Sequence, residues 1–139
     1  YRRSRFGILN NKKNQQAALE ASGKLQVKMK SLDTMANFLS GGNQQKLILC
    51  KWLLMNPKVL ILDEPPRGID VGAKWEIYNI MIDLAKQGVG IILVSSDMEE
   101  VINLSDRIMV MCDGHISGWL EKEEVTQERI MNLASEVKV

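Results

Sequence analysis

The chain has 139 residues, enough for one domain with a real hydrophobic core and too few for two of ordinary size. Hydrophobic residues make up 45% and charged residues 25%, which excludes a disordered tail, a collagen-like repeat and a coiled-coil rod. Eighteen Lys and Arg face 17 Asp and Glu, so the net charge is +1 and the basic excess of a nucleic-acid binder is missing. No apolar run approaches the roughly 18 residues of a membrane span, and no charged-then-apolar leader opens the sequence. The first residue is Tyr1 rather than Met, and the polar YRRSRFG start carries no entry signal. This reads as a piece of a longer polypeptide.

Tyr1–Arg5, with Arg2, Arg3 and Arg5, reads as a frayed basic end rather than a membrane contact. From about Asn11 to Val27, polar residues interleaved with Ala17, Ala18, Leu19 and Ala21 predict a surface helix. Residues 28–38 form a connector anchored at Met29, Leu32 and Met35. Ser40-Gly41-Gly42-Asn43 is a turn and N-cap signal, and a helix follows over Gln44–Met55 with Ile48, Trp52 and Met55 on its inner face. Asn56-Pro57 ends it. Val59–Leu62 is an unbroken apolar run, the pattern of a strand buried on both faces of a parallel sheet. A helix over Val71–Lys86 carries Trp75, Tyr78, Ile82 and Ala85 as its inner stripe, and Gly88 and Gly90 close it. Ile91–Val94 repeats the buried-strand pattern, and Ser96 with Glu99 forms a capping box for a short helix to about Leu104. Arg107–Cys112 is a strand, Asp113-Gly114 a hairpin turn, and His115–Leu120 the return strand. Thr126–Ala134 is a closing amphipathic helix. The alternation of strands and helices spells an α/β fold with a mostly parallel sheet. The helical N-terminal third reads as a separate subdomain.

Two stretches carry chemistry. Asp63 and Glu64 end the apolar strand at its C-terminal edge, where ligands bind in open parallel sheets. Asp63 can hold Mg²⁺, and Glu64 can orient or deprotonate a water for phosphoryl transfer; the bland alternative is a solvated acidic turn. Leu39-Ser40-Gly41-Gly42-Asn43-Gln44-Gln45-Lys46 puts a hydroxyl and two glycines before a helix. Free amides and the helix dipole favour a phosphate there; the bland alternative is a flexible turn.

The two stretches in this order resemble a known family. LSGGNQQK, then VLILDEP, then Gly68-Ile69-Asp70 resemble the signature motif, Walker B strand and D-loop of an ABC-type ATPase. Lys51-Trp52-Leu53, Arg67–Lys74, Ser95-Ser96-Asp97 and Ser105–Ile108 resemble the ATP-binding subunits of ribose- and galactose-type importers, which carry two ABC modules in one polypeptide. The match runs closely over Phe38–Ala134 and resembles the C-terminal part of the second module. The resemblance implies a P-loop NTPase fold in which residues 1–57 form a helical signature subdomain and residues 58–139 the Walker B part of the core. It implies ATP and Mg²⁺ as cofactors. Ser40, Gly41, Gly42, Asn43 and Gln44 would close over ATP held by the other module, and Asp70 would sit at the dimer seam. Asp63 would hold the metal, Glu64 would be catalytic, and Asp97 would occupy the switch-histidine position, all at this module's own nucleotide.

Three departures accompany the resemblance. No GxxxxGK(S/T) phosphate loop with its Walker A strand is found here, and no glutamine loop. Pro66 replaces the family's Thr or Ser, and Asp97 replaces the switch histidine, as in many second modules of sugar importers. The implied partners are the other ABC module, membrane permease subunits and, indirectly, a sugar-binding protein, with no nucleic acid; the implied location is the cytoplasmic membrane face. The competing classes are a soluble ABC ATPase outside transport and a non-catalytic interaction module. His115, directly after the turn, reads as a surface residue, and Lys12, Lys13 and the Glu121–Glu124 stretch as solvated charge. Trp52, Trp75 and the methionines read as core, Trp119 as half-exposed, and Cys50 and Cys112 as reduced and partly buried.

Overall fold

The computed structural model describes residues 11–135; the basic start at Tyr1–Arg5 lies outside them. Among the described residues there are five α-helices and four strands, in the order α1 (Asn11–Lys24), α2 (Gly41–Leu53), β1 (Val59–Asp63), α3 (Val71–Lys86), β2 (Gly90–Val94), α4 (Met98–Leu104), β3 (Arg107–Cys112), β4 (His115–Glu121) and α5 (Gln127–Ser135). They form two compact units, one of the described residues up to Leu60 with Pro65–Ile91, the other of Ile61–Glu64 with the described residues from Ile92 onward. No helix among the described residues is long and apolar enough to cross a membrane.

In the first unit α1 lies on α2, joined where the Cys50 thiol meets the Ala21 carbonyl at 3.4 Å. Cys50 is buried and free, and burial pushes its thiol pKa up, so it stays protonated. α2 buries Gly42, Lys46, Leu49 and Cys50, not the predicted Ile48, Trp52 and Met55, and Trp52 is 52% exposed. Each set forms a helical stripe of its own, so periodicity fits either. The stripe containing Gly42 is the one that meets α3, where the missing β carbon lets the α2 backbone approach Ala73. Of the stripe expected on α3, Tyr78 is buried but Trp75 and Ile82 are exposed. The helix buries Ile77, Tyr78, Met81 and Leu84, while Trp75 is 59% exposed and stands edge-on to Tyr78 at 5.7 Å. Gly88, at φ 87°, ends α3 in the left-handed region that glycine adopts freely.

β1 and β2 form a two-stranded sheet. The Gly90 amide donates to the Lys58 carbonyl at 2.9 Å, and the Glu64 amide to the Val94 carbonyl at 2.9 Å. Both strands advance in the same sense between these bonds, so the pair is parallel. β1 alternates, with Leu60 and Leu62 buried and Ile61 67% exposed, and Ile92 and Val94 of β2 are exposed as well. This corrects the expectation of burial on both faces: an unbroken apolar run here has one covered face.

In the second unit β3 and β4 form an antiparallel hairpin with Cys112 opposite His115 and Arg107 opposite Glu121. Asp113 and Gly114 turn it at φ 47° and 78°, the signature of a type I′ turn. Ile108, Val110, Leu120 and Ile130 form the core, and Met98, Val101, Ile102, Val125 and Leu133 pack around it. His115 is exposed, as expected. Trp119 is half-exposed, with the Arg107 guanidinium 4.9 Å from its ring centre. Of the methionines expected in the core, Met81 is buried, but Met35, Met55, Met109, Met111 and Met131 are exposed.

The two faces offered by α3 differ in what truncation costs. Ile77 is 0% exposed, so Ile77→Ala should cost about 2–5 kcal/mol in urea unfolding. Trp75→Ala should cost less than about 1 kcal/mol, the reverse of what the predicted stripe requires.

Candidate functional site

Ser40 lies extended at the N-cap of α2, with φ −60° and ψ 155°, but its side chain makes no cap hydrogen bond. Helix geometry therefore leaves the Gly41, Gly42 and Asn43 amides without an intrahelical acceptor. The Ser40 hydroxyl instead accepts from the Asn43 side-chain amide at 2.8 Å. The Asn43 carbonyl oxygen Oδ1 accepts from the Lys28 amide at 2.7 Å, and Gln44 Nε2 donates to the Leu39 carbonyl at 2.9 Å. Asn43 and Gln44 thus brace the turn from both sides.

The two glycines pack differently. A β carbon on Gly41 would meet Ile69 Cγ2 at 3.1 Å, whereas one on Gly42 would stand 2.6 Å from the Ala73 β carbon. Gly42 is therefore required by helix packing. Asp70 caps α3, its Oδ1 accepting from the Ala73 amide at 2.9 Å. One turn beyond Gly42, Lys46 is buried, with its ammonium 2.6 Å from Glu76 Oε2 on α3 and 3.3 Å from the Gln26 carbonyl. Neither Lys46 nor Glu76 was singled out in the sequence; the usable signal was a lone cation on the Gly42–Leu49 stripe.

In the second unit Asp63 ends β1, exposed to solvent. Glu64 follows at φ 46°, a left-handed conformation that costs a non-glycine residue about 1–2 kcal/mol. Two bonds hold it there: its amide to Val94, and its Oε1 accepting from the Ser96 amide at 2.9 Å. Asp97, rather than Ser96, is the N-cap of α4; its Oδ1 accepts from the Glu99 amide at 3.1 Å and the Glu100 amide at 3.3 Å. A carboxylate meets two amides where the Ser96 hydroxyl was expected to meet one, and this corrects the expected capping box. The Ser95 hydroxyl accepts from the Asp97 amide at 3.0 Å and donates to the buried Glu100 carboxylate. Residues 95–97 are thereby tied to both Glu64 and α4. Ser40, Gly41, Gly42, Asn43, Gln44 and Asp70 belong to the first unit, and Asp63, Glu64 and Asp97 to the second. Among the described residues no three His, Cys, Asp or Glu side chains gather as a metal site.

The ABC transporter family pattern matches residues 3–67, which include the Ser40–Gln44 turn and the Asp63-Glu64 pair. The stretch that carries both motifs is thus similar to the ABC transporter family. It is 49% identical over 132 residues to the xylose import ATP-binding protein of Geobacillus kaustophilus, covering 95% of this chain and 26% of that protein. It is 53% identical over 128 residues to the galactose/methyl galactoside import ATP-binding protein of Clostridium tetani, covering 92% of this chain and 25% of that one. The chain thus spans about a quarter of the length of the curated relatives it matches. Among solved structures, a component of the cbiONQ ABC transporter complex of Clostridium perfringens superposes with a TM-score of 0.73 at 27% identity, covering 91% of this chain and 50% of that one. The ABC ATPase fold read from the motifs is the observed fold.

Two outcomes follow from the first unit. Gly42→Ala should destabilise the chain by about 1–3 kcal/mol by overpacking, and Ala73→Gly in the same chain should recover part of the loss; denaturant unfolding of both variants measures it. The Glu76 carboxyl is held below the usual range, first by its hydrogen bond from Lys46, then by the Lys46 and Lys28 charges, against desolvation and Asp70. A lowered folded-state pKa contributes stability above the ordinary glutamate value that is lost as pH falls through the lowered one. Unfolding curves from about pH 6 to pH 3 should show this loss, and Glu76→Gln should reduce it.

Proposed function

We propose that this chain is part of the ATP-binding subunit of an ABC importer for monosaccharides, and that Ser40, Gly41 and Gly42 close over ATP held by a partner ABC module. The observation that carries this reading is the uncapped first turn of α2: the Ser40 side chain makes no cap hydrogen bond, and the family motif falls on that turn. Backbone amides at a helix N-terminus suit a phosphate. Asn43 and Gln44, which hold the turn's shape, act on the ligand through it, and Asp70 serves the seam between modules. Residues 1–57 would act as the signature subdomain and 58–139 as the Walker B part. The relatives' names support sugar import as the role; permease subunits at the cytoplasmic membrane face and, indirectly, a sugar-binding protein would be its partners.

Asp63 and Glu64 would serve this module's own nucleotide. A single exposed carboxylate at the end of β1 fits Mg²⁺, which takes one or two carboxylates together with nucleotide phosphates. Bound there, Mg²⁺ would supply neutralisation of phosphate charge. Glu64 is oriented through Oε1 by the Ser96 amide, so its carboxylate is positioned to hold a water. Asp97 accepts from the Glu99 and Glu100 amides of α4, and a carboxylate there lacks the N–H donor of a switch histidine. This supports an asymmetric pair of sites in which the one completed by Ser40–Gly42 does most of the hydrolysis.

Steady-state ATPase of the assembled transporter tests the reading. Ser40→Ala, which leaves the Gly42–Ala73 contact intact, should lower kcat by about 10–100-fold. Glu64→Gln should cost less than the matching change in the partner module. A Glu64→Gln loss larger than its counterpart's would make this module's own site the principal one and overturn the assignment.

A further inference from the structure

A lysine that is 2% exposed is costly to bury unless its charge is met, and here two acceptors meet it. Glu76 Oε2 lies 2.6 Å from the ammonium and the Gln26 carbonyl 3.3 Å. Gln26, at φ 51°, stands in the turn that follows α1. One side chain of α2 is thus bonded to α3 and to the turn after α1. Glu76 is half-exposed, so its carboxylate would keep its hydration without Lys46. Stability alone would be served as well by an apolar residue of similar volume at position 46. What an apolar residue would not supply is a directed bond.

That bond lies one helical turn from the Gly42–Ala73 contact on both helices: 42 to 46 on α2, and 73 to 76 on α3. A single contact between two helices leaves a pivot. Two contacts a turn apart fix rotation as well as separation. The first contact sits beside the Ser40–Gly42 turn, and the second lies less than two turns from the Asp70 cap. We infer that Lys46 is a positioning residue: with Glu76 it locks the Ser40–Gly42 turn of α2 to the Asp70–Ala73 start of α3, so that the two move as one body. This rests on the phosphate-binding role assigned above to Ser40–Gly42. No ligand contact is required of Lys46 itself.

Amide hydrogen exchange of the chain and ATPase of the full-length protein, measured on Lys46→Met, Glu76→Gln and the double variant, test it. Lys46→Met keeps the apolar stem, and Glu76→Gln alters a half-exposed site that the fold can accommodate if Lys46→Met fails to fold. Each single variant should speed exchange by about tenfold at the hydrogen-bonded amides of Gln44, Ala73 and Lys74 together, with β3 and β4 unchanged. Glu76→Gln should add nothing in the Lys46→Met background. In the full-length protein kcat should fall by about tenfold with KM for ATP within about twofold. Faster exchange on only one of the two helices, unchanged exchange in Glu76→Gln, or additive effects would overturn the clamp. Coupled exchange with an unchanged kcat would leave the clamp standing and overturn the phosphate role of Ser40–Gly42 instead.

Discussion

The close approach of α2 to α3 at Gly42 governs the first unit. Without a β carbon at that position the helices meet at Ala73, and a methyl group there would lie 2.6 Å from its neighbour. The contact decides which stripe of α2 faces inward, and it carries Lys46 into the interior along with Leu49 and Cys50. It also puts the turn at Ser40 next to the cap at Asp70. A glycine pair that looks like a phosphate cradle is therefore two different residues. Gly41 is exposed beside Ile69, while Gly42 is buried against Ala73.

Element types and most boundaries were legible because local chemistry specifies them. Asn56-Pro57 stops α2, Asp113-Gly114 turns the hairpin in the left-handed region, and the polar spacing of residues 11–24 makes a surface helix. The orientation of the helices was not legible. Large residues such as Trp52 and Trp75 suggest a core by area alone, yet the packed faces here are set by small residues, Gly42 and Ala73, which hydrophobicity ranks low. The strands misled for a related reason. An apolar run says what each side chain tolerates and not how many faces are covered, and Val59 and Ile61 are exposed where Leu60 and Leu62 are buried.

The motif residues stand out in the sequence because each motif position asks for a particular side chain or its absence. Their connections were hidden, because hydrogen bonds such as Glu64 to Ser96 span 32 residues and leave no periodic trace. Asp97 illustrates the difference. As a departure from a histidine it reads as a lost function; in the structure its carboxylate caps α4 through two amides, so its identity has a local physical reason.

Glu64 occupies a backbone conformation that side chains resist, and its carboxylate still reaches a specific amide. These demands select residues by opposite criteria. Asn and Asp adopt the left-handed region more readily than Glu, but they are one methylene short of the Ser96 amide. Glycine relaxes the backbone and carries no acceptor, while valine and isoleucine are barred by branching at the β carbon. Position 64 therefore has a narrow chemical alphabet on geometric grounds alone.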